Sequence, residues 1–228
     1  MHHPSNGYKA ILFDLDGTLL EVKERFFFAF NQTLASFGKT SLDWEAFLED
    51  FSKDTLPRHL PEEYESQRTF ISTLLENFSK AREAVPVRAI PGAREALETL
   101  AARGYRMSVV TGRSARPESI REELDEIGPF ECLDHIFSHP DGYGPDGGEA
   151  MAALSKEPLI QQAADRMGVP VGSCVFVGDW TGDIRSAKGA GVGFIVAVLS
   201  GGMDEEVLRQ EGPHLVISSV ADLPAYLP

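Results

Sequence analysis

The feature that most constrains this chain is a recurring unit, a short and nearly unbroken apolar run that ends in a small or acidic turn. Ala10-Ile11-Leu12-Phe13 runs into Asp14-Leu15-Asp16-Gly17, and Met107-Ser108-Val109-Val110 into Thr111-Gly112. Cys174-Val175-Phe176-Val177 runs into Gly178-Asp179, and Phe194-Ile195-Val196-Ala197-Val198 leads to Ser200-Gly201-Gly202. A half-exposed strand alternates apolar with polar residues, whereas a continuous run bounded by turn residues is the pattern of a strand buried on both faces of a parallel sheet. His135-Ile136-Phe137 and Leu215-Val216-Ile217 are shorter strands of the same kind. Helical spacing lies between them, over 93–103 before Gly104 and 159–167 before Gly168, with apolar residues on one face. The alternation predicts an α/β fold, a Rossmann-like parallel sheet with helices on both faces and a ligand site outside the carboxyl ends of the strands. The polar turns just named would sit at those ends.

One stretch departs from the alternation. From Lys23 to Ala84 there is no strand run, only helical spacing in Phe26/Phe27/Phe30/Leu34/Phe37, Trp44/Phe47/Leu48/Phe51 and Phe70/Ile71/Leu74/Leu75/Phe78. These predict a small helical bundle inserted after the first strand, and its aromatics are core by spacing. Val85-Pro86-Val87 and Ile90-Pro91-Gly92 mark the return to the sheet. The expected division is a core of 1–20 and 86–228 interrupted by a helical unit of 21–85. A Pro- and Gly-rich stretch over 138–148 is expected to be a surface loop.

Composition narrows the function classes. Lys+Arg 21 against Asp+Glu 35 gives a formal net charge of -14 and a pI near 4.8, which repels nucleic acid and anionic membrane surfaces. Neither is an expected partner, and an anionic small substrate would need a local cation to reverse the field. Cys132 and Cys174 show no CxxC or Cys/His spacing, so no disulfide framework or zinc site is indicated and a cytoplasmic location is expected. No apolar run approaches the roughly 18–20 residues that cross a bilayer, and the opening Met1-His2-His3-Pro4 lacks a signal peptide's apolar region. The oligomeric state is narrowed only to monomer or homodimer.

The chemistry concentrates in four segments. Asp14-Leu15-Asp16-Gly17-Thr18 follows the first strand and projects two carboxylates near the mouth of the sheet; alone, it reads equally well as a turn or a helix cap. Gly178-Asp179-Trp180-Thr181-Gly182-Asp183 follows another buried strand and adds two more acids. Four carboxylates at one strand mouth repel unless a divalent cation neutralises them, and hard oxygen donors without His or Cys favour magnesium over zinc. Thr111 at a strand end and Lys156 before a helix complete the set, although singly a strand-end Thr is usually a cap and a lone Lys a solvated charge.

In this order the segments resemble the haloacid dehalogenase superfamily, in its magnesium-dependent phosphatase branch with a helical cap, the phosphoglycolate phosphatase-like group. Asp14-Leu15-Asp16-Gly17-Thr18 is similar to the first family motif, Thr111 to the second, Lys156 to the third, and Gly178-Asp179 with Asp183 to the fourth. The resemblance implies that Asp14 is the nucleophile, forming an aspartyl phosphate, and that Asp16 protonates the leaving oxygen and then activates water. It implies that Thr111, Gly112 and Lys156 hold the phosphoryl oxygens. Arg113, two residues beyond Thr111, is a candidate to pair with a second anionic group on the substrate and reads otherwise as a surface residue at a helix start. Mg2+ would be held by Asp14, the carbonyl of Asp16 and Asp179, with Asp183 either a direct ligand or the partner that orients water or Lys156. The helical insertion resembles the family's substrate-selecting cap, on which Lys53, Arg58, His59 and Arg68 are the candidate readers.

The pattern also departs from the family's. Lys156-Glu157-Pro158 is shorter than the usual Lys-Pro-x-Pro, which leaves Lys188 as the rival lysine. Trp180 is bulkier than the residue common there and either walls the pocket or packs on the cap. The expected function is hydrolysis of a small phosphorylated metabolite, of phosphoglycolate or sugar phosphate type. The alternatives are a phosphomutase on the same fold, a receiver-like phosphoacceptor and a non-catalytic binding protein. An Asp two residues after the nucleophile argues against carbon–halogen chemistry, which needs no leaving-group acid.

Overall fold

A computed structural model of the chain describes residues 7–128, 130–139 and 155–228. Six of its strands form one parallel sheet: β1 (Ala10–Phe13), β4 (Arg106–Val110), β5 (His135–Phe137), β6 (Cys174–Gly178), β7 (Phe194–Val198) and β8 (Leu215–Ile217). The order is β5-β4-β1-β6-β7-β8, so β1 is central, with Leu12 in register with Ser108 on one side and Phe176 on the other. The chain winds outward from β1 through β4 to β5, then returns to β6 and continues to β8. The reversal opens a crevice at the carboxyl ends of β4, β1 and β6, where an open sheet places its ligand. Every apolar run read as a strand is one.

Burial on two faces explains why those runs are continuous. Ile11 and Phe13 point into a core shared with α4 (Ala93–Ala102) and α5 (Pro117–Ile127), and Ala10 and Leu12 into a second core with α6 (Glu157–Arg166), α7 (Thr181–Ala190) and α8 (Glu205–Gln210). All four side chains of β1 are fully buried. At about 1.5–3 kcal/mol per fully buried large aliphatic or aromatic side chain, this central strand anchors the acids that follow it.

The stretch without strand runs is helical, with α1 (Lys23–Ser36), α2 (Trp44–Ser52), a 3-10 turn at Leu56–His59 and α3 (Tyr64–Lys80). Phe30, Leu34, Phe47 and Phe70 form its separate core, with ring contacts such as Phe30–Phe70 at 5.9 Å. Asp43 starts α2 by accepting a 2.8 Å hydrogen bond from the Ala46 N–H, an N-cap that serves one of the helix's unpaired amides. One feature differs from expectation. The chain leaves and re-enters the sheet through a two-stranded antiparallel ribbon, β2 (Leu20–Glu21) against β3 (Arg88–Ala89), where the sequence predicts only a return to the sheet. Two residues per strand are too few to show a periodicity.

Of the loop read over 138–148, only Ser138 and His139 are described, and the rest lies outside the described residues. Among the described residues no helix is long and apolar enough to cross a membrane.

Candidate active site

The three central strand ends bring distant residues together. Asp14 follows β1 directly, and its N–H extends the ladder by donating to the Val177 carbonyl at 2.8 Å. Thr111 follows β4 and donates its N–H to the Phe137 carbonyl at 2.9 Å. Asp179 follows β6, and Asp183 lies in the first turn of α7. Lys156 stands at the N-cap of α6, anchored by its own N–H donating to Ser186 Oγ at 3.0 Å. All five are buried.

Lys156 Nζ donates to Asp14 Oδ1 at 2.5 Å and to Asp183 Oδ1 at 2.6 Å. Oxygens of Asp14, Asp179 and Asp183 lie within 4.8 Å of one another. Asp183 Oδ2 accepts the Trp180 N–H at 3.2 Å, so both of its oxygens already have protein donors and one of them steers Lys156. Thr18 Oγ1 donates to Asp179 Oδ1 at 3.0 Å. Gly17, at φ +85°, and Gly201 both pass so close to the Asp179 carboxylate that a Cβ at either position would overlap it. The rival Lys188 lies on the surface, where its Nζ bonds the Glu211 carbonyl.

Burial pushes the Asp14 carboxyl up to about 7, against the Lys156 charge and with the help of the Asp183 and Asp16 charges. Burial, then the Asp14 and Asp183 charges, raise Asp179 well above the ordinary carboxylate range. Burial would lower Lys156, but the charges of Asp14 and Asp183 outweigh it and hold the ammonium well above its ordinary value. A cluster of three carboxylates and one ammonium is short of positive charge, which an oxygen-seeking divalent cation would supply. The donor atoms, all oxygen, fit such an ion.

Asp16 sits in a different setting. Arg113 grips it in a fork, Nε donating to Oδ2 at 2.7 Å and Nη2 to Oδ1 at 2.6 Å, while Nη1 bonds Glu123 Oε2. The other oxygen of Glu123 accepts Arg25 Nη1 at 2.7 Å. Arg25 Nε also donates to the Val85 carbonyl at 2.8 Å, and the Phe78 ring lies 5.5 Å from the Arg25 guanidinium carbon and 5.3 Å from that of Arg113. Burial would raise Glu123, yet the Arg113 charge and the Arg25 hydrogen bond outweigh it and hold the carboxyl below its usual range. Arg113 was read as an anion-binding candidate or a surface residue at a helix start. It is neither exposed nor at the start of α5: it is buried and turned inward to the carboxylates of Asp16 and Glu123, which pair its charge.

Sequence reasoning missed Arg25, Glu123 and Asp54, and gave Thr18, although part of the first motif, no role of its own. The available signal was a charge on an apolar helix face: Glu123 stands three residues after Ile120 and beside Leu124, both fully buried. Asp54, in the left-handed region at φ 56°, ties the helical segment to the sheet by accepting from Trp180 Nε1 at 3.1 Å and Thr181 Oγ1 at 2.7 Å. Trp180 thus packs on the helical segment and also lines the space beneath it. That space is a cavity of about 240 Å3, floored by the acids and roofed by α1, the 3-10 turn and α3. Lys53, Arg58, His59 and Arg68 do not line it; they pair with Glu49, Asp50, Asp50 and Glu65 respectively.

A crevice of this kind, holding an aspartate pair after β1 and a Lys–Asp pair beneath a helical roof, defines a hydrolase of the type the motifs resemble. The haloacid dehalogenase-like hydrolase family matches over residues 11–197, and the chain belongs to that family. It is similar to the phosphoglycolate phosphatase of Rhodospirillum rubrum, 28% identical over 232 residues that cover 96% of this chain and 90% of that one. The phosphoglycolate phosphatase of Haemophilus influenzae is 27% identical, covering 95% and 96%. The structure of a haloacid dehalogenase-like hydrolase from Streptococcus pneumoniae superposes with a TM-score of 0.75 at 19% identity, over 97% of this chain and 99% of that one.

Proposed function

We propose that the chain is a magnesium-dependent phosphatase that hydrolyses a small phosphomonoester through a phosphoryl-aspartate at Asp14. The observation that carries this reading is the contrast between two aspartates two residues apart. Asp14 is aimed into the charge-deficient cluster by Lys156, and Asp16 is held beside it by the Arg113 fork. Asp14, Asp179 and the carbonyl of Asp16 would hold Mg2+, with Asp183 steering Lys156. The ion, when bound, supplies charge neutralisation at the phosphoryl oxygens.

The chain's own residues carry the rest. An Asp14 oxygen attacks phosphorus, the bond to the leaving oxygen breaks, and Asp16 gives that oxygen its proton. Asp16, now ionised, takes a proton from water as the water attacks phosphorus, which frees Asp14 and releases phosphate. Lys156, Thr111 and the Gly112 backbone hold the transferring oxygens, where positioning does most of the work. Arg113 fixes the plane of the Asp16 carboxylate and so acts through it. Residues 21–85 serve as the cap over the core of 1–20 and 86–228. Two free cysteines suit a reducing, cytoplasmic setting.

The relatives' names make phosphoglycolate the first ester to assay, with sugar phosphates beside it. The test is release of free phosphate with Mg2+ against a chelated control: turnover that needs the ion and vanishes in Asp14→Asn supports the reading. Turnover surviving either change, or return of the phosphoryl group to substrate, overturns it.

A further inference from the structure

We infer that the leaving group this site accepts is apolar, so that the substrate is the phosphate ester of an aliphatic or aromatic alcohol rather than of a hydroxy acid or a sugar. The inference rests on the phosphatase reading of the same cavity and deepens it. The cavity has two chemically opposite ends. All of its cations and most of its acids are at the floor, where the phosphoryl group would lie. The roof is built of Phe26 from α1, Phe51 at the end of α2, Leu56 and Leu60 around the 3-10 turn, and Leu74 and Leu75 of α3. All six are half-buried: all but Leu75 also pack on the bundle's core, and each turns part of its surface to the cavity. Half-buried apolar side chains converging on one small cavity are what an apolar ligand covers.

A charged or hydroxylated leaving group finds no counterpart there. Glycolate would bring a carboxylate and a sugar several hydroxyls, and each would lose water on entry. Among the described residues lining the cavity the cations are Arg113 and Lys156. Arg113 spends Nε and Nη2 on Asp16 and Nη1 on Glu123, and Lys156 lies at the floor between Asp14 and Asp183, where it serves the phosphoryl oxygens. The undescribed residues, 1–6, 129 and 140–154, contain no Lys or Arg in the sequence. Within 21–85 the one polar side chain at the cavity is Asp54, a carboxylate that repels another and is already bonded to Trp180 and Thr181. A volume of about 240 Å3 suits an alcohol of modest size.

The test has two arms, both with the full chain and Mg2+. In the first, titration calorimetry compares the non-hydrolysable n-alkylphosphonates, methyl to hexyl, with phosphonoacetate. Affinity should rise about fourfold per methylene until the cavity fills, and phosphonoacetate should bind more weakly than propylphosphonate. In the second, kcat/KM for the matching n-alkyl phosphates should follow the same order, with 2-phosphoglycolate below propyl phosphate. No binding, a flat chain-length series or a preference for the carboxylate ligands overturns the inference. Chain-length-dependent binding without turnover of any ester would instead remove the phosphatase reading and leave the apolar pocket standing. Leu75→Arg should move the preference toward 2-phosphoglycolate and phosphonoacetate, and an unchanged order in that variant counts against the pocket. Leu56→Arg repeats the test from the other side of the cavity should thermal unfolding show Leu75→Arg misfolded.

Discussion

Two buried charge networks flank the Asp14–Asp16 pair, and they differ in one respect that organises the site. With Asp16 ionised, as it is once it has given up its proton, two carboxylates (Asp16, Glu123) meet two guanidiniums (Arg25, Arg113) around it, and the formal charges cancel. Around Asp14, three carboxylates (Asp14, Asp179, Asp183) meet one ammonium (Lys156), and two negative charges are left over. The balanced network is self-sufficient: each carboxylate oxygen has a donor, so it fixes a geometry and asks for no ligand. The unbalanced network is held together by packing against its own repulsion, and a divalent cation would bring it to neutrality. One network therefore reads as a bracket that sets Asp16, and the other as a seat for an ion and a phosphoryl group.

The most severe way to break the contrast is at Asp14. Asp14→Asn should lower kcat by about 10⁴-fold or more, since the amide keeps the shape but cannot attack, while the metal-free protein becomes more stable because one repelling charge is gone. Phosphate-release assays and thermal unfolding in chelator would show the two effects moving in opposite directions; a destabilised apo variant would refute the idea of a strained cluster.

Next is the balanced side. Glu123→Ala leaves Arg25 and Arg113 facing each other and should cost about 3–5 kcal/mol, measured by urea unfolding. Its residual activity should show a lower kcat at little-changed KM, because Asp16 loses the support behind its fork. Replacing Arg25 and Glu123 together with Met and Leu should recover much of the stability. If the single change costs less than the pair replacement, the network is not acting as a unit.

A smaller effect tests the unbalanced side. Mg2+ at a hundredfold excess over its Kd should stabilise the fold by about 2.7 kcal/mol, which for a chain of this size is roughly 5–10 °C in Tm. Asp179→Asn should remove most of that shift, and an equal shift in the variant would place the ion elsewhere.

The mildest test is acid. Glu123 is held below its ordinary value of 4.5, so its contribution is in full above that pH and is lost as the pH falls through the lowered folded value. Wild type should therefore lose stability more steeply on the acid side of 4.5 than Glu123→Gln; parallel curves would mean that Glu123 does not carry the pairing assigned to it.

Much of the core was legible because burial on both faces leaves a mark in one dimension. A strand such as Ala10–Phe13 must be apolar throughout, and the acids at its end follow it directly in the chain. The helical segment was legible for a related reason, since Phe26, Phe30 and Leu34 repeat at the helical period. The ribbon of Leu20–Glu21 with Arg88–Ala89 was not, being shorter than any period it could display.

The sequence by itself determined the order of the chemistry along the chain, two acids after β1, a Thr after β4 and two acids after β6, because local patterning and motif spacing are properties of neighbours along the chain. Only the tertiary structure decided what each charge faces. Arg25 meets Glu123 across 98 residues, Arg113 turns to Asp16 instead of outward, and Lys53, Arg58, His59 and Arg68 pair with nearby acids instead of lining a roof of Leu and Phe. The physical reason is that a buried charge takes whatever partner the packing brings within about 3 Å, and packing sums weak contacts over the whole fold, which no local pattern records.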